Sequence, residues 1–149
     1  MMSSPTFVRR IVGVALMITL SGCSGIGLPE GQREFSGVWL YEFEGSSFVE
    51  GATAVPTVRP DYETTDWLEY PSVPPGALRD IQAGLAAEGL ECQPVQAFRV
   101  RFTGRRTRHP PGTGHLGLWR TKVTVERTLA IERLGPPFCY EPAPHSGEG

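Results

Sequence analysis

The sequence lacks an apolar run long enough to cross a membrane. The N-terminal apolar run, from Ile11 to Leu20, is ten residues long, whereas a spanning helix needs about 20. Two arginines, Arg9 and Arg10, come just before it, and small residues follow it. A basic start, a short apolar centre and small residues before a cut are typical of a secretory signal peptide. We therefore predict that this segment directs export and is then removed.

Cysteine and lysine are also scarce, and motifs for metal or nucleophilic chemistry are missing. The chain has three cysteines, no CxxC pair and no cluster of histidines, which argues against the common zinc sites. No GxSxG elbow marks a nucleophilic serine. We therefore expect no catalytic residues, no resident metal and no cofactor, and we do not expect an enzyme.

The residues Leu20-Ser21-Gly22-Cys23, placed just after the apolar run, resemble the lipobox of a bacterial lipoprotein. This resemblance implies cleavage of residues 1–22 and lipidation of Cys23, because several acyl chains together hold a small domain on a membrane durably. Residues 23–34 would then form a lipidated tether. The residue after the cysteine is Ser24 and not aspartate, which in a Gram-negative lipoprotein implies the outer membrane, facing the periplasm.

Two further cysteines, Cys92 and Cys139, are expected to form a disulfide. Export places the chain in an oxidising compartment, where disulfides persist. The bridge would close a loop of 48 residues, and loop-closure entropy then predicts a contribution of up to about 4 kcal/mol.

Charge is distributed unevenly along the chain. Residues 30–91 hold 12 acidic and 3 basic residues, a net charge of −9, and residues 92–149 hold 4 acidic and 9 basic residues, a net charge of +5. Such asymmetry fits either a surface that binds anions or two halves that neutralise each other. We favour neutralisation.

Alternating apolar residues predict a mostly β, α+β domain over residues 35–141, followed by a flexible tail over 142–149. The predicted strands and helix lie, in chain order, at 37–44, 47–50, 64–70, 75–88 (the helix), 96–107 and 122–134. This βββαββ order resembles the OB-fold, a five-stranded barrel with its helix between the third and fourth strands. A curved antiparallel sheet with one helix is the alternative.

Side-chain periodicity gives a predicted core and a predicted helix face. The aromatic side chains expected inside are Trp39, Tyr41, Phe43, Phe48 and Trp67. The helix should bury Leu78, Ile81 and Leu85, which recur at helical spacing.

The last two strands are predicted to pair in antiparallel fashion, because the disulfide requires their outer ends to meet. In the simplest register, opposed residue numbers sum to 231. Val100 then faces Ile131 and Phe102 faces Leu129, while Arg99 meets Glu132 and Arg105 meets Glu126 on the other face. We expect a bulge near Arg127, because that residue interrupts the apolar alternation.

The segment between these strands, Arg105 to Gly117, is predicted to be a long loop and the best candidate contact surface. Its basic residues are Arg105, Arg106, Arg108, His109 and His115. They could bind anionic lipid headgroups, or they could be neutralised by the fifth strand. The Gly112–Gly117 stretch spells G-x-G-x-x-G, but no βαβ unit surrounds it, so we interpret it as a connection and not a nucleotide site. Gly114-His115-Leu116-Gly117 is also similar to loops in small uncharacterised envelope proteins.

Together these features predict a lipid-anchored cell-envelope protein that binds or supports a partner. The partner would be an envelope protein or an anionic lipid, and not nucleic acid. The alternative is a small envelope hydrolase or a barrel that binds a small ligand, which would require a pocket with converging polar groups.

Overall fold

A computed structural model describes residues 31–86, 89 and 91–141. The predicted signal peptide, Cys23 and the predicted tail at 142–149 lie outside these residues. Within the part described, no helix has the length and apolarity that crossing a membrane would require.

The chain folds into a closed five-stranded barrel with one helix, as predicted. The elements are β1 (Arg33–Glu42), β2 (Gly45–Glu50), β3 (Asp66–Glu69), α1 (Pro75–Leu85), β4 (Gln96–Thr113) and β5 (Trp119–Arg133), with one short turn of 3-10 helix (His115–Gly117) before β5. The strand order around the barrel is β1-β2-β3-β5-β4. The α+β class and the OB-like βββαββ order are thus confirmed. The prediction that all strands pair in antiparallel fashion was wrong in one respect, because β3 and β5 pair in parallel.

The two ends of the barrel are closed differently. At the end where the chain enters, Arg33 of β1 lies opposite Gly104 of β4; we call this the N-terminal end. The predicted tether boundary at residue 34 is therefore wrong by two residues, since β1 already begins at Arg33. Helix α1 covers the opposite end, the helix end, where Ala77 and Ile81 pack onto the core.

Aromatic side chains fill the barrel interior. Trp39, Phe48 and Phe102 are at most 1% exposed. Phe102 stacks on Phe35 with ring centroids 5.3 Å apart, and Trp39 lies 5.3 Å from Phe98. The indole nitrogen of Trp39 donates to the hydroxyl of Ser46 at 2.9 Å, which satisfies the one polar atom of this large buried ring. The interior is a packed core.

A second apolar layer lies outside the barrel wall. Val38 and Leu40 point outward from β1 but are at most 3% exposed, because chain segments from both halves cover them. These covering side chains include Val55 from the first half of the chain and Phe138 from the second half. Next to Phe138, Cys92 and Cys139 form the predicted disulfide, with their Cα atoms 6.1 Å apart.

Two predicted core aromatics lie elsewhere. Phe43 is 57% exposed, because β1 ends at Glu42 and the chain turns there. Trp67 is half-buried on the outer face, and Leu68 fills the core position in β3. The strand is four residues long, so an aromatic residue alone did not reveal which face it occupies.

Helix α1 also buries a different face from the one expected. Ile81 is buried, but Leu78 and Leu85 are 43% and 38% exposed. The helix approaches the sheet through small residues, Ala77 and Gly84. It ends at Leu85, three residues earlier than predicted.

The predicted long loop between the last two strands is a strand hairpin. β4 continues to Thr113 and β5 begins at Trp119, so five residues, 114–118, separate the two strands. The predicted register holds for Val100 with Ile131 and for Arg99 with Glu132. It fails further along, because two irregularities near Arg127 place Thr128 opposite Phe102 and Thr124 opposite Arg105. The bulge expected near Arg127 is thus confirmed.

Candidate binding site

The acidic and basic halves of the chain neutralise each other. Ten ion pairs of arginine or lysine join described residues. Six of them link a carboxylate before residue 92 to a base after it, namely those of Glu34, Glu50 with Arg106, Asp66, Glu63, Glu69 and Asp80. Within the second half, Arg99 meets Glu132 at 2.7 Å, as predicted. Exposed pairs of this kind contribute about 0.2–1 kcal/mol each. Much of the charge asymmetry is therefore absorbed within the fold.

The candidate basic residues fall into separate places. Arg105 pairs with Glu126 at 2.7 Å, despite the shifted register. Arg106 turns inward and meets Glu50 and Asp66 at 2.5 and 2.6 Å. Arg108 is exposed and forms no ion pair with any described residue. The side chain of His109 lies outside the description.

Arg106 belongs to a network that closes the N-terminal end of the barrel. Its guanidinium and that of Arg33 lie over the ring of Phe35, 5.4 and 3.8 Å from its centroid. Glu50 joins the two arginines, and its hydrogen bond from Arg33 is the main cause that lowers the pKa of this carboxyl. These contacts are structural, and they remove Arg106 from the candidate contact surface.

His115 lies far along the hairpin from these arginines and helps form a cleft. Its Nε2 atom is 3.2 Å from a carboxylate oxygen of Glu44, in the turn between β1 and β2. Gly114 permits this approach: it has a φ of +74°, and a Cβ there would lie 2.3 Å from the ring of Trp67. The hairpin tip therefore folds over β3 and meets the first turn of the barrel.

Charged and aromatic groups line the cleft, whose volume is about 200 Å³. Glu42, 6% exposed, accepts two 2.7 Å hydrogen bonds from one nitrogen of Arg59. The Arg59 guanidinium also lies 5.1 Å from the ring centroid of Tyr140. Tyr62 packs on Trp119, with centroids 4.6 Å apart. Because Arg59 already neutralises Glu42, the exposed carboxylate of Glu44 is the acidic group that a bound partner could contact.

Exposed apolar residues flank the same cleft. Leu116 is 81% exposed, Phe43 57% and Leu118 40%. Phe43 and Leu118 line the cleft, and Leu116 lies between His115 and Leu118 at the hairpin tip. These three side chains form what we call the apolar rim.

Backbone strain is concentrated at this place. Among the described residues, two that are not glycine have a positive φ: Glu44, at 61°, and Leu116, at 54°. Such conformations cost of order 1 kcal/mol or more outside glycine and persist when the surrounding structure enforces them. The two residues lie on the two turns that the His115–Glu44 contact brings together.

Of the five candidate basic residues, the structure thus places one, His115, at this cleft. The sequence did not reveal Glu42, Arg59 or Phe43 as neighbours of His115, because they belong to segments more than 50 residues away. The exposed Leu116, between two glycines, was the available signal for an apolar tip.

The described residues contain no group of three or more histidine, cysteine, aspartate or glutamate side chains placed to hold a metal. Comparison with protein families, with characterised proteins and with solved structures found no match to this chain.

Proposed function

We propose that this protein is a lipid-anchored cell-envelope protein whose barrel binds a partner protein through the hairpin cleft. Cys23 would carry the lipid, and in a Gram-negative host the barrel would face the periplasm from the outer membrane. The lipobox, Leu20 to Cys23, supports the anchor. The cleft and its apolar rim support the binding role.

The observation that carries the proposal is the state of Leu116. A leucine at this position has two unfavourable features, since it exposes its side chain to water and adopts a left-handed backbone that asparagine or glycine adopts more readily. The fold alone gives no reason for leucine here. A partner that covers the apolar rim would supply one, because burying a leucine side chain contributes roughly 1.5–3 kcal/mol.

The size of the cleft favours a protein over a small molecule. Small-molecule sites are usually about 300–1,000 Å³, and this cleft holds about 200 Å³. It is large enough for one side chain of a partner, with the apolar rim around it. A neighbouring cleft beside Trp39, Leu68 and Tyr70 is larger, about 440 Å³, and its volume is within the range of small-molecule sites.

The test is in-cell crosslinking followed by mass spectrometry, with four forms of the chain: the native protein, Leu116→Asn, Leu78→Asn and Cys23→Ala. The native protein should yield a partner whose crosslinks map to the hairpin tip and the first turn. Leu116→Asn should lose that partner while the barrel becomes more stable, by up to about 1 kcal/mol, since asparagine relieves the backbone strain. Leu78→Asn changes an exposed leucine of α1 that does not line the cleft, so it is the matched control and should keep the partner.

Two results would contradict the proposal. Leu116→Asn could recover the same partner at the native level, which would exclude the apolar rim. Alternatively, Cys23→Ala could recover it equally well, which would separate binding from the anchor.

One observation favours an envelope hydrolase as the second candidate. His115 is oriented by Glu44 in a cleft that also contains Glu42, an arrangement in which a histidine could act as a general base. Against this, no serine, threonine or cysteine is among the described residues lining the cleft, so water would have to be the nucleophile. His115→Gln should abolish any hydrolysis of envelope substrates if this candidate is correct, and unchanged hydrolysis would exclude it.

A further inference from the structure

The position at which the chain enters the barrel indicates which side faces the membrane. Arg33 begins β1 beside Gly104 at the N-terminal end, and helix α1 covers the opposite end. A tether running from Cys23 to Arg33 has ten residue steps, which bounds its reach at about 35 Å when fully extended. As a flexible coil it would span about 17 Å. The N-terminal end is therefore the part of the barrel held nearest to the lipid.

That end carries an excess of arginine. Six arginines lie within four residues of the Arg33–Gly104 contact along the sheet: Arg33, Arg101, Arg105, Arg106, Arg108 and Arg127. Four carboxylates neutralise part of this charge, those of Glu34, Glu50, Asp66 and Glu126. Arg108 and Arg127 are exposed, and neither forms an ion pair with a described residue. We call three exposed members of this group, Arg105, Arg108 and Arg127, the basic end.

We propose that the basic end binds the anionic phospholipid headgroups of the membrane that holds Cys23. The inference rests on the proposed lipid anchor. Arginine near an anionic surface is attracted to it over roughly the Debye length, about 8 Å at physiological salt. The anchor keeps the basic end within reach of that layer, and Arg108 and Arg127 supply charge that the fold leaves uncompensated.

This contact would also orient the molecule. With the basic end on the headgroups, helix α1 points away from the membrane. The turn at Phe43 and Glu44 joins β1 and β2 at the helix end, since β1 runs there from Arg33. The cleft beside that turn would then be presented to the periplasm, where a partner protein can reach it.

The experiment measures how readily arginine side chains react when the lipidated protein sits in a bilayer. The protein, purified from membranes, is placed in nanodiscs of phosphatidylcholine alone or of an equal mixture of phosphatidylcholine and phosphatidylglycerol. Phenylglyoxal labels accessible arginines, and mass spectrometry reports the extent at each one. We expect Arg105, Arg108 and Arg127 to be protected several-fold in the anionic discs, and Arg79, exposed on α1, to react equally in both. High salt should remove the protection, because the Debye length falls to about 3 Å at 1 M.

A pair of variants tests whether the uncompensated charges are responsible. Arg108→Gln combined with Arg127→Gln should abolish most of the protection of Arg105, and neither change breaks an ion pair of the fold. Arg79→Gln removes one exposed charge at the opposite end and should leave the protection unchanged.

The outcomes separate this inference from the anchor on which it rests. The mass of the N-terminal peptide shows whether Cys23 is acylated, and an unmodified cysteine would overturn both. An acylated protein whose basic-end arginines react equally in the two kinds of disc would overturn the headgroup contact alone. The same would follow if Arg79 were protected as strongly as Arg105.

Discussion

Removal of the disulfide between Cys92 and Cys139 should destabilise the barrel by a large fraction of its total stability. The bridge joins residues 47 apart in sequence. Cross-linking a loop of that length removes conformational entropy from the unfolded chain equivalent to about 4 kcal/mol at 25 °C. Domains of this size are usually stable by about 5–15 kcal/mol, so the Cys92→Ala, Cys139→Ala double variant should be marginally folded.

The native structure would hold the same two segments together without the bridge. Val95 and Phe138 exchange two backbone hydrogen bonds, of 2.8 and 3.1 Å, next to the disulfide. The loss should therefore come mainly from the unfolded state, and the folded barrel should keep its spectrum. Urea denaturation of the two proteins measures the difference in free energy of unfolding, and reduction of the native protein with dithiothreitol should reproduce the value of the double variant.

The reasoning would be refuted by a loss below about 1 kcal/mol, since a closed loop of this length cannot then have constrained the unfolded chain. A changed near-ultraviolet spectrum would refute it differently, by showing that the bridge shapes the folded state.

Three further predictions concern side chains that differ in hydrogen bonding, charge and packing. Tyr140→Phe should leave the free energy of unfolding unchanged or raise it, because the buried Tyr140 hydroxyl has no hydrogen-bond partner among the described residues. The Tyr70 hydroxyl is hydrogen-bonded to Thr128, so Tyr70→Phe should lower the free energy of unfolding by about 1 kcal/mol in the same denaturation assay. The pKa of Glu50 is lowered in the folded state, so its carboxylate stabilises the fold fully at pH values above the unfolded pKa of 4.5. This contribution should disappear as pH falls through the lower folded pKa, and the free energies of unfolding of the native protein and Glu50→Gln should then converge. Equal slopes of the free energy of unfolding against pH for the two proteins would contradict this prediction. Phe102→Ala should cost about 3–5 kcal/mol by thermal or urea unfolding, because Phe102 is fully buried against two other rings.

Local sequence patterns were sufficient for most of the barrel. The alternation of Phe98, Val100 and Phe102 specified a strand with one buried face, and opposite charges at Arg99 and Glu132 specified its register with β5. These patterns depend on neighbours along one strand or across one pair. The disulfide, expected because exported chains meet an oxidising compartment, supported the same pairing, because antiparallel neighbours bring their outer ends together.

The predictions failed where backbone geometry is set by distant contacts. A loop was predicted from Arg105 onward, yet β4 continues to Thr113, because β5 pairs with β4 as far as Arg108 and again at Thr113. Similarly, Leu78 and Leu85 have helical spacing but lie exposed, since α1 buries the face that carries the small residues Ala77 and Gly84 together with Ile81.

The candidate site was the hardest part to predict, because it depends on two turns distant in sequence. His115 was singled out for its possible charge chemistry, and the structure pairs it with Glu44 across the barrel. The partners of Arg105 and Arg106 show that part of a basic run in sequence can be neutralised within the fold.

The two sides of the molecule differ in how their unfavourable features are compensated, and this difference is the best argument for where a partner binds. At the N-terminal end, Arg106 meets two carboxylates and lies over an aromatic ring, so its charge is compensated by contacts within the fold. At the cleft, Leu116 and Phe43 expose apolar surface, and Glu44 and Leu116 have left-handed backbones. The fold supplies Glu44 with the His115 contact but leaves the rims of both turns uncovered. Features of this kind would be removed by simple substitutions such as Leu116→Asn without disturbing the core. Their coincidence at one cleft is therefore better explained by a binding surface than by the requirements of folding.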